Sequence, residues 1–355
     1  MRFLRNFFVE HLAVDLGTVN TLIGVPGHGI ILNEPSVVAL ERHSKEVISV
    51  GRAAQKLLGR EPRDIEVYRP IRYGTIDNFE VAQKMLKAFI RIAAEGRHKR
   101  RHLVVGVPGS STTIEQRSIR EAAHDARAGR VDLVDEGLAA AVGVGVDLED
   151  EHAHLVVDIG GGTTNIALVA SGGVISSRSL PVAGNAMDEA IRDYVRGKYS
   201  VQIGERAAEG LKRELGAANE VSAPSPHMEI VGKQLSTGAG LPVNIESGDV
   251  LEALQPSLSE IINAIRGVIE DAPPEVTADI YRSEVILTGG GALLKGMTDR
   301  LQHELNLKIA LADEPLLSVA LGAGRLLEEP AKLHRAVLRQ DIYVWEGSQE
   351  LVVNW

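Results

Sequence analysis

Short runs of apolar residues alternate along this chain with longer stretches in which apolar residues recur at helical spacing. The runs at 155–159, Leu103–Pro108 and Val285–Thr288 are typical of buried strands, and Met85–Ile92 has the spacing of an amphipathic helix. Because strands and helices alternate throughout, the pattern predicts an α/β architecture. Further helices are predicted at Ile114–Ala126, Leu138–Val146, Ala186–Lys198, Glu205–Leu215 and around Leu301.

Two of the apolar runs end in the same order of Asp, Gly and Thr. One copy is Ala13-Val-Asp-Leu-Gly-Thr-Val-Asn20, and the other is Val156-Val-Asp-Ile-Gly-Gly-Gly-Thr-Thr-Asn165. A glycine turn at a strand end brings backbone N–H groups close to an anion without steric cost. The carboxylates of Asp15 and Asp158 suit hydrated Mg2+, which prefers oxygen ligands and retains its waters. A single copy also occurs as a plain strand end, but the pair predicts two facing half-sites around one polyphosphate.

The composition narrows the possible functions. The chain has 355 residues, enough for two domains, and 44% of them are hydrophobic. It contains no apolar run of about 20 residues, and Met1–Glu10 lacks the apolar core of a secretory signal. The absence of cysteine excludes disulfides and thiolate metal sites and fits a cytoplasmic protein. The net charge of −10 argues against a general nucleic-acid binder.

Four long segments of the chain resemble a known family. They are Val14–Ile23, Ile31–Val38, Val156–Thr164 and Leu287–Leu294. They resemble the actin-like ATPase superfamily and, most closely, the MreB family of bacterial actins, from about Leu12 to Leu327. The resemblance implies an α/β, actin-like two-lobe ATPase fold with duplicated ribonuclease-H-like cores. It also implies ATP and Mg2+ in the cleft, and homopolymeric filaments under the inner membrane that organise cell shape together with cell-wall synthesis proteins.

The resemblance also implies a division of the chain. Residues 11–144 and 315–330 would form lobe I, with subdomain IB at about 33–70. Residues 145–314 would form lobe II, with subdomain IIB at about 185–245. An amphipathic segment at 1–10 and a C-terminal tail at 331–355 remain. The tail is longer than the family leads us to expect, and both a docked strand and a partner-binding tail are compatible with its sequence.

The nucleotide site follows from the resemblance, residue by residue. Asp15 and Asp158 would hold Mg2+, mainly through water, and no Walker-type Gly-Lys-Ser/Thr sequence is present. Glu209, Lys212 and Arg213 share one helix face and would reach the ribose and adenine, the alternative being a solvated charged face. Contacts to ATP are expected from Asp15, Gly17, Thr18, Val19, Asn20, Gly160, Gly161, Gly162, Thr163, Thr164, Gly184, Glu209, Lys212, Arg213, Gly289, Gly290, Gly291 and Ala292.

Hydrolysis requires a water placed in line with the γ-phosphate. Val134-Asp-Glu-Gly-Leu-Ala-Ala-Ala141 is similar to the family's Glu-Pro-Met-Ala-Ala-Ala segment. This similarity assigns Glu136 to orienting that water, with Thr164 or Thr163 helping. The alternative is that Glu136 only stabilises the first turn of its helix, where acidic residues are favourable.

Three residues depart from the family pattern near the cleft. Gly137 replaces the usual Pro, Asn165 the usual Glu, and Asn185 an Asp. The two Asn residues remove charge near the cleft, so the sequence does not determine the hydrolysis rate. A filament that binds ATP but barely hydrolyses it, and so acts as a scaffold, is the main alternative. A small-molecule kinase would need an acceptor pocket with a catalytic base. A chaperone ATPase would need a substrate-binding domain after residue 330.

Two segments carry possible membrane signals. Met1–Phe8 places its Phe, Leu and Met residues on one helical face and its Arg residues on the other, so it predicts an interfacial anchor to the anionic inner membrane. The alternative is a short disordered or core-docked end. Arg97–His102 predicts a basic loop that contacts lipid head groups or is simply solvated. His98 and His102 are flanked by cations and make poor metal ligands.

Overall fold

The chain folds around two five-stranded sheets that share one topology. The structure is a computed structural model, and it describes residues 9–94, 100–171, 173–222 and 227–338. In each sheet a meander of three antiparallel strands is extended by two parallel strands that return after helical crossovers. The predicted α/β architecture is confirmed, and the duplication visible in the two Asp-Gly-Thr turns extends to the whole sheets.

The first large sheet has the order β10-β9-β1-β2-β3. Its central strands are apolar on both faces, as strands covered by helices on both sides must be. Its strands are β1 (Val9–Leu16), β2 (Asn20–Val25), β3 (Gly29–Pro35), β9 (Arg100–Val107) and β10 (Ala128–Asp135).

The second large sheet has the order β13-β12-β11-β17-β18. Strand β11 is its centre and pairs antiparallel with β12 and parallel with β17, as β1 pairs with β2 and β9. Its strands are β11 (His154–Ile159), β12 (Thr164–Ala170), β13 (Gly173–Leu180), β17 (Val285–Thr288) and β18 (Ile309–Leu311).

Three small sheets accompany the large ones. The order β5-β4-β6 joins β4 (Val38–Glu41), β5 (Val47–Val50) and β6 (Ile65–Tyr68). The order β14-β15-β16 joins β14 (Val201–Gln202), β15 (His227–Gln234) and β16 (Gly240–Glu246). The hairpin of β7 (Ile71–Arg72) and β8 (Thr75–Ile76) is the third.

Most helices pack on the faces of the large sheets, and some of them begin at side-chain caps. Asn78 and Thr112 each accept a backbone N–H of the first helical turn, and Thr112 forms a reciprocal capping box with Glu115. The helices are α1 (Arg52–Gln55), α2 (Phe79–Ala93), α3 (Thr113–Asp125), α4 (Glu136–Gly143), α5 (Gly184–Tyr199), α6 (Glu205–Leu215), α7 (Ser247–Glu270), α8 (Pro274–Arg282), α9 (Met297–Leu305), α10 (Ser318–Glu328) and α11 (Pro330–Ala336).

Helices α4 and α10 lie between the two large sheets and cross with their backbones in contact. A side chain at Gly143 would overlap the Ser318 carbonyl, and one at Gly322 would overlap the Ala139 carbonyl. A buried cluster formed by these helices with residues of both large sheets, among them Val104 and Val156, joins the two sheets. Gly143 and Gly322 therefore allow the two helices to pack closely, whereas a side chain at Gly145 would meet nothing within 4 Å.

The structure contradicts the sequence prediction for part of the basic segment, and the predicted anchor and tail lie outside the described residues. Residues Arg100–His102 form the start of β9 rather than a loop, and the Arg101 and His102 side chains are buried. The prediction of an exposed basic loop is wrong for these residues, because Arg101 pairs with Glu10 and His102 with Asp132. Residues 97–99, Met1–Phe8 and 339–355 lie outside the described residues. Within the described ranges no helix has the length and apolar content needed to span a bilayer.

Candidate functional site

The first glycine hairpin, residues 15–20, joins β1 to β2 and is fixed by hydroxyl groups. The Ser36 hydroxyl donates to the Gly17 carbonyl at 2.6 Å and lies 2.9 Å from the Thr21 hydroxyl. A side chain at Gly17 would approach the Asn20 carbonyl to 2.6 Å. Only glycine fits this turn, so the backbone can come close to a ligand at this point.

The second glycine hairpin, residues 158–165, joins β11 to β12 and faces the first. A side chain at Gly161 would overlap Val19, and one at Gly162 would overlap Thr18. The structure therefore brings the two predicted phosphate loops into direct contact. The backbone N–H of Gly184, at the start of α5, donates to the Gly160 carbonyl at 3.2 Å.

Asp15 and Asp158 are the carboxylates near the ends of β1 and β11, where Asp158 is buried and Asp15 is half-buried. Burial, together with the nearby charge of Asp158, raises the pKa of Asp15 to about 7. Burial likewise raises the pKa of Asp158 to about 7. Two neighbouring carboxylates offer the hard oxygen donors that Mg2+ prefers, and Mg2+ usually keeps several of its waters. Among the described residues, no group of three acidic, His or Cys side chains is placed for a metal.

Glu136 is the first residue of α4 and lies at the base of the two hairpins. Its carboxylate is buried and accepts a hydrogen bond of 2.8 Å from the Asn165 side-chain amide. Burial raises the pKa of Glu136 well above its usual value, and the charges of Asp15 and Asp158 add to that rise. Asp135 is the N-cap of α4 and accepts from the Leu138 N–H at 3.0 Å. Capping is therefore the role of Asp135, which leaves the Glu136 carboxylate available for another.

The two threonines of the second glycine hairpin have different surroundings. The buried Thr164 hydroxyl donates to the Val182 carbonyl at 2.7 Å. A side chain at Gly74, in the turn between β7 and β8, would approach the Thr163 methyl group to 2.5 Å. The N–H of Gly74 also donates to the Thr18 hydroxyl at 3.1 Å. The β7–β8 turn thus contacts both hairpins, and no local pattern of residues predicts this contact.

The third glycine turn, residues 289–291, follows β17 and packs on the end of β11. Gly289 has a φ of 85° and donates its N–H to the Pro315 carbonyl at 2.8 Å. A side chain at Gly289 would overlap Asp158, one at Gly291 would overlap Ile159, and one at Gly290 would lie 3.2 Å from Leu316. Ala292, in the short 3-10 helix Gly290–Leu293, is buried. The third turn therefore lies directly beside the second glycine hairpin.

The charged face of α6 divides into a part near the hairpins and an exposed part. The Lys212 ammonium pairs with Asp188 at 2.8 Å and donates to the Gly184 carbonyl at 2.8 Å. It therefore lies at the start of α5 beside the second glycine hairpin. Glu209 and Arg213 form a pair at 4.0 Å and are largely exposed. The structure thus brings Lys212 and Gly184 together. Glu209 and Arg213 lie on a solvated part of the helix face, which is the alternative that the sequence left open.

Comparison with known proteins identifies the family. The model of the MreB/Mbl protein family matches residues 9–335. The chain belongs to the MreB/Mbl family. It is 41% identical to the cell shape-determining protein MreB of Escherichia coli over 333 residues, 91% of this chain and 95% of the relative. It is 40% identical to the cell shape-determining protein Mbl of Bacillus cereus over 333 residues, 94% of this chain and 100% of the relative.

Solved structures of MreB-like proteins confirm the actin-like fold. The structure of MreB 5 of Spiroplasma citri bound to AMPPNP has a TM-score of 0.84 and 30% identity, covering 91% of this chain and 97% of that chain. The same protein bound to ADP gives 0.85 and 32%, with the same coverage. A MamK double helical filament gives a TM-score of 0.76 at 22% identity, covering 90% of this chain and 99% of that chain, a likeness in fold alone.

Sequence reasoning missed several residues that shape this MreB-like site. Asn165 was noted only as a lost charge, yet it is the hydrogen-bond partner of Glu136, and the Ser179 hydroxyl holds its amide oxygen at 2.7 Å. Asp188 and Ser36 were not singled out. Their partners lie 24 and 19 residues away along the chain, Lys212 and Gly17, so only the fold brings them together.

Proposed function

We propose that the chain is a cytoskeletal ATPase that binds ATP and Mg2+ at the two glycine hairpins, hydrolyses ATP slowly and forms filaments that determine cell shape. One observation carries this proposal: the two hairpins contact each other and bring Asp15, Asp158 and Glu136 close together, with Asp158 and Glu136 buried and Asp15 half-buried. Neighbouring carboxylates that are shielded from water are costly when ionised, and a bound cation offsets that cost. The relatives named as cell shape-determining proteins, and the MreB 5 structures with AMPPNP and ADP, support the same function.

The backbone of the hairpins would bind the phosphates. Gly161 and Gly162 lie against Val19 and Thr18, so a polyphosphate bound there would contact N–H groups of both hairpins at once. Asp15 and Asp158 would hold Mg2+ through its waters, and the ion would supply positive charge beside the phosphates. Because the phosphates would sit on fixed backbone donors, the site needs no P-loop lysine.

Glu136 would orient the attacking water. Its carboxylate is held by Asn165 on one side, and the second carboxylate oxygen has no partner described, so it can accept from a water. The catalytic contribution is positioning and electrostatics, as in other phosphoryl transfers. The Thr163 side chain lies beside Gly74 of the β7–β8 turn, whereas the Thr164 hydroxyl is already bonded to the Val182 carbonyl. We therefore favour Thr163 over Thr164 as the helper.

The nucleoside would lie between the third glycine turn and α6. Lys212 is already fixed beside Gly184, and Glu209 is three residues before it on the same face. The glycines at 289–291 let a flat base approach the backbone beside the end of β11. In this assignment Lys212 is a fixed contact for the nucleoside, and Glu209 and Arg213 contact it only when nucleotide binds.

The proposal also covers filament assembly and the place of the filaments in the cell. An actin-like protomer that contacts the next one head to tail forms an open filament when the rotation does not close a ring. The MamK relative forms a double helical filament on the same fold. We propose that the filaments lie at the inner face of the cytoplasmic membrane, with cell-wall synthesis and shape proteins as partners. The boundaries of lobes I and II stay a prediction within this proposal.

Sedimentation with parallel phosphate release tests the ATPase and the filament together. We expect the chain to pellet with Mg-ATP more than with ADP or without nucleotide, and to release phosphate slowly. Asp158→Ala should lose both properties, whereas Glu136→Ala should keep assembly. Pelleting without phosphate release would favour the scaffold alternative, which the Asn165 amide in place of a carboxylate also suggests. A monomer under all conditions would contradict filament formation.

The membrane anchor is proposed from the sequence pattern of Met1–Phe8. Each apolar side chain contributes roughly 1.5–3 kcal/mol at full burial, and interfacial burial is partial, so one copy binds weakly and a filament binds well. Deleting Met1–Phe8 should abolish co-sedimentation with anionic liposomes and spare phosphate release. Replacing Phe7 and Phe8 by Ser is the matched variant. Unchanged pelleting of the truncated filaments with liposomes would contradict the anchor.

A further inference from the structure

Three polar contacts connect the small elements beside the first large sheet to the helices beside the second. They are the ion pair of Arg69 with Glu205 at 3.2 Å, the hydrogen bond from Arg206 to the Gln55 carbonyl, and the hydrogen bond of 3.2 Å from Tyr73 to Glu189. On the first side they involve the end of α1, the connection between β6 and β7, and the β7–β8 turn, and on the second side they involve α5 and α6. We call these three contacts the clasp.

The two sides of the clasp belong to separate cores. Val38 of β4 and Ile71 of β7 are buried in one cluster with residues of β1, so the small sheet and the β7–β8 hairpin are fixed to the first large sheet. Met187 of α5 and Leu211 of α6 are buried in another cluster with residues of β11 and β12. Each side of the clasp is therefore part of the body formed by its own large sheet.

The clasp itself consists of polar groups near the surface. The exposed fraction of the side chain is 28% for Arg69 and 57% for Glu205, and Tyr73 is also exposed. Ion pairs that solvent reaches contribute little stability, and salt screens them. The clasp can therefore open at low cost and without disturbing either core.

The two large sheets are held together differently at α4 and α10. These helices cross with their backbones in contact, inside a buried apolar cluster that includes residues of both sheets. Separating them would expose apolar surface to water, which is unfavourable in proportion to its area. The sheets can therefore move apart on the side of the clasp while they stay joined at α4 and α10.

The clasp lies beside the two glycine hairpins. Tyr73 comes directly before Gly74, which contacts both hairpins. Glu189 comes directly after Asp188, whose carboxylate pairs with Lys212 at 2.8 Å. A nucleotide bound by the hairpins and Lys212 would therefore lie between the two sides that the clasp connects.

We propose that the clasp must open before a nucleotide leaves the site, so that these three contacts limit the rate of nucleotide release. The inference rests on the proposed function, because it takes the nucleotide to be bound between the hairpins. It gives Arg69 and Glu205 a role that requires no contact with the nucleotide: they determine how long the nucleotide is retained. Because the pair is screened by salt, release should also become faster as ionic strength rises.

Reversal of the charges of Arg69 and Glu205 tests the clasp through the rate of nucleotide release. Displacement of a fluorescent ADP analogue by excess ATP gives that rate. Arg69→Glu and Glu205→Arg should each speed release roughly twofold to fivefold, as the loss of an exposed ion pair predicts, and the double variant should return the rate towards that of the wild type. Arg117→Glu breaks an exposed pair with Glu121 within α3, so it is the matched control and should leave release unchanged.

Distance measurements without nucleotide test the clasp separately from the proposed function. The chain contains no cysteine, so Arg60→Cys and Gln202→Cys place spin labels at exposed positions, one on each side of the clasp. Double electron–electron resonance should give longer and broader distances when Arg69→Glu is added, and distances like those of the wild type when Glu205→Arg is added as well.

The outcomes separate the clasp from the nucleotide site. Failure to bind the ADP analogue would contradict the proposed function and the role in release, whereas the label distances would still show whether the clasp closes. Unchanged label distances in the Arg69→Glu protein would overturn the clasp itself. Longer distances together with an unchanged release rate would overturn its control of nucleotide release.

Discussion

The side-chain amide of Asn165 donates a 2.8 Å hydrogen bond to the carboxylate of Glu136. Asn165 lies on β12 and Glu136 begins α4, so the bond connects the second large sheet to the helix between the sheets. The Ser179 hydroxyl fixes the orientation of the amide by donating to its oxygen. An amide can donate to a carboxylate where a second carboxylate would repel it, which gives the departure from the family's usual Glu a physical consequence.

Asn165→Ala should slow phosphate release while nucleotide affinity stays close to that of the wild type. The variant removes one hydrogen bond that holds Glu136, which corresponds to roughly a threefold to tenfold loss of rate. Single-turnover phosphate release is the measurement. Ser179→Ala removes only the hydrogen bond from the Ser179 hydroxyl to the Asn165 amide oxygen, so it should slow phosphate release less. Turnover that is unchanged in Asn165→Ala would show that Glu136 is positioned without its amide partner.

Glu136→Gln should bind nucleotide normally and release phosphate on the order of 10²–10⁴ times more slowly. The substitution keeps the size of the side chain and removes its ability to accept in the ionised form. Titration with a fluorescent ATP analogue checks binding, and phosphate release checks turnover. Because Asp135 caps α4, the helix should remain intact, so wild-type circular dichroism serves as the control. Wild-type turnover in the Glu136→Gln variant would show that another group orients the attacking water.

Asp158→Asn should stabilise the metal-free protein at pH 8 and weaken Mg-ATP binding. The folded pKa of Asp158 is raised from 3.8 to about 7, so the folded state binds its proton more tightly than the unfolded state does. Above pH 4 this costs stability progressively, up to a few kcal/mol above pH 7. In EDTA, the thermal midpoint of the wild type should therefore fall between pH 5 and 8, and that of the variant should fall less. An equal fall in both proteins would contradict the raised pKa.

Local patterns predicted the hairpins because each needs only neighbouring residues. An apolar run followed by Asp and Gly specifies a strand and a turn, and Gly17 and Gly161 are indeed positions where a side chain does not fit. The partners of those residues could not be predicted in the same way. The Thr18–Gly74 bond spans 56 positions and the Tyr73–Glu189 bond spans 116, so they exist only once the sheets are assembled.

Two elements show where sequence patterns are misleading. Helix α7 was not predicted, although it has 24 residues, and it carries a proline at position 256 that argues locally against a helix. Arg101 and His102 look like a solvated basic loop, yet they are buried beside Glu10 and Asp132, their partners on the neighbouring strands. In both cases packing outweighs the local signal.

Gly137→Ala should destabilise the protein although alanine is the better helix former. A methyl group at this position would lie 2.5 Å from the Ala167 methyl group and 3.0 Å from the Asp135 carboxylate, so α4 would have to move away from β12. Overpacking of this kind costs roughly 1–3 kcal/mol. Gly197→Ala is the matched control, because Gly197 lies within α5 with no neighbour near its added methyl group, and there the same change should stabilise by about 0.5–1 kcal/mol.

Gly137→Pro, which introduces the residue usual in the family, should destabilise for the same reason and should not raise turnover. The Gly137 N–H also bonds to the Asp135 carboxylate, and proline would remove that donor. Chemical denaturation of the Gly137→Ala, Gly137→Pro and Gly197→Ala variants gives the three stabilities, and phosphate release gives the rates. Glu136 comes directly before Gly137, so any shift of α4 also moves the Glu136 carboxylate. Of the two Gly137 variants, the one with the more displaced α4 should therefore release phosphate more slowly. A Gly137→Pro variant that is both as stable as the wild type and faster would show that α4 starts too loosely in the natural chain.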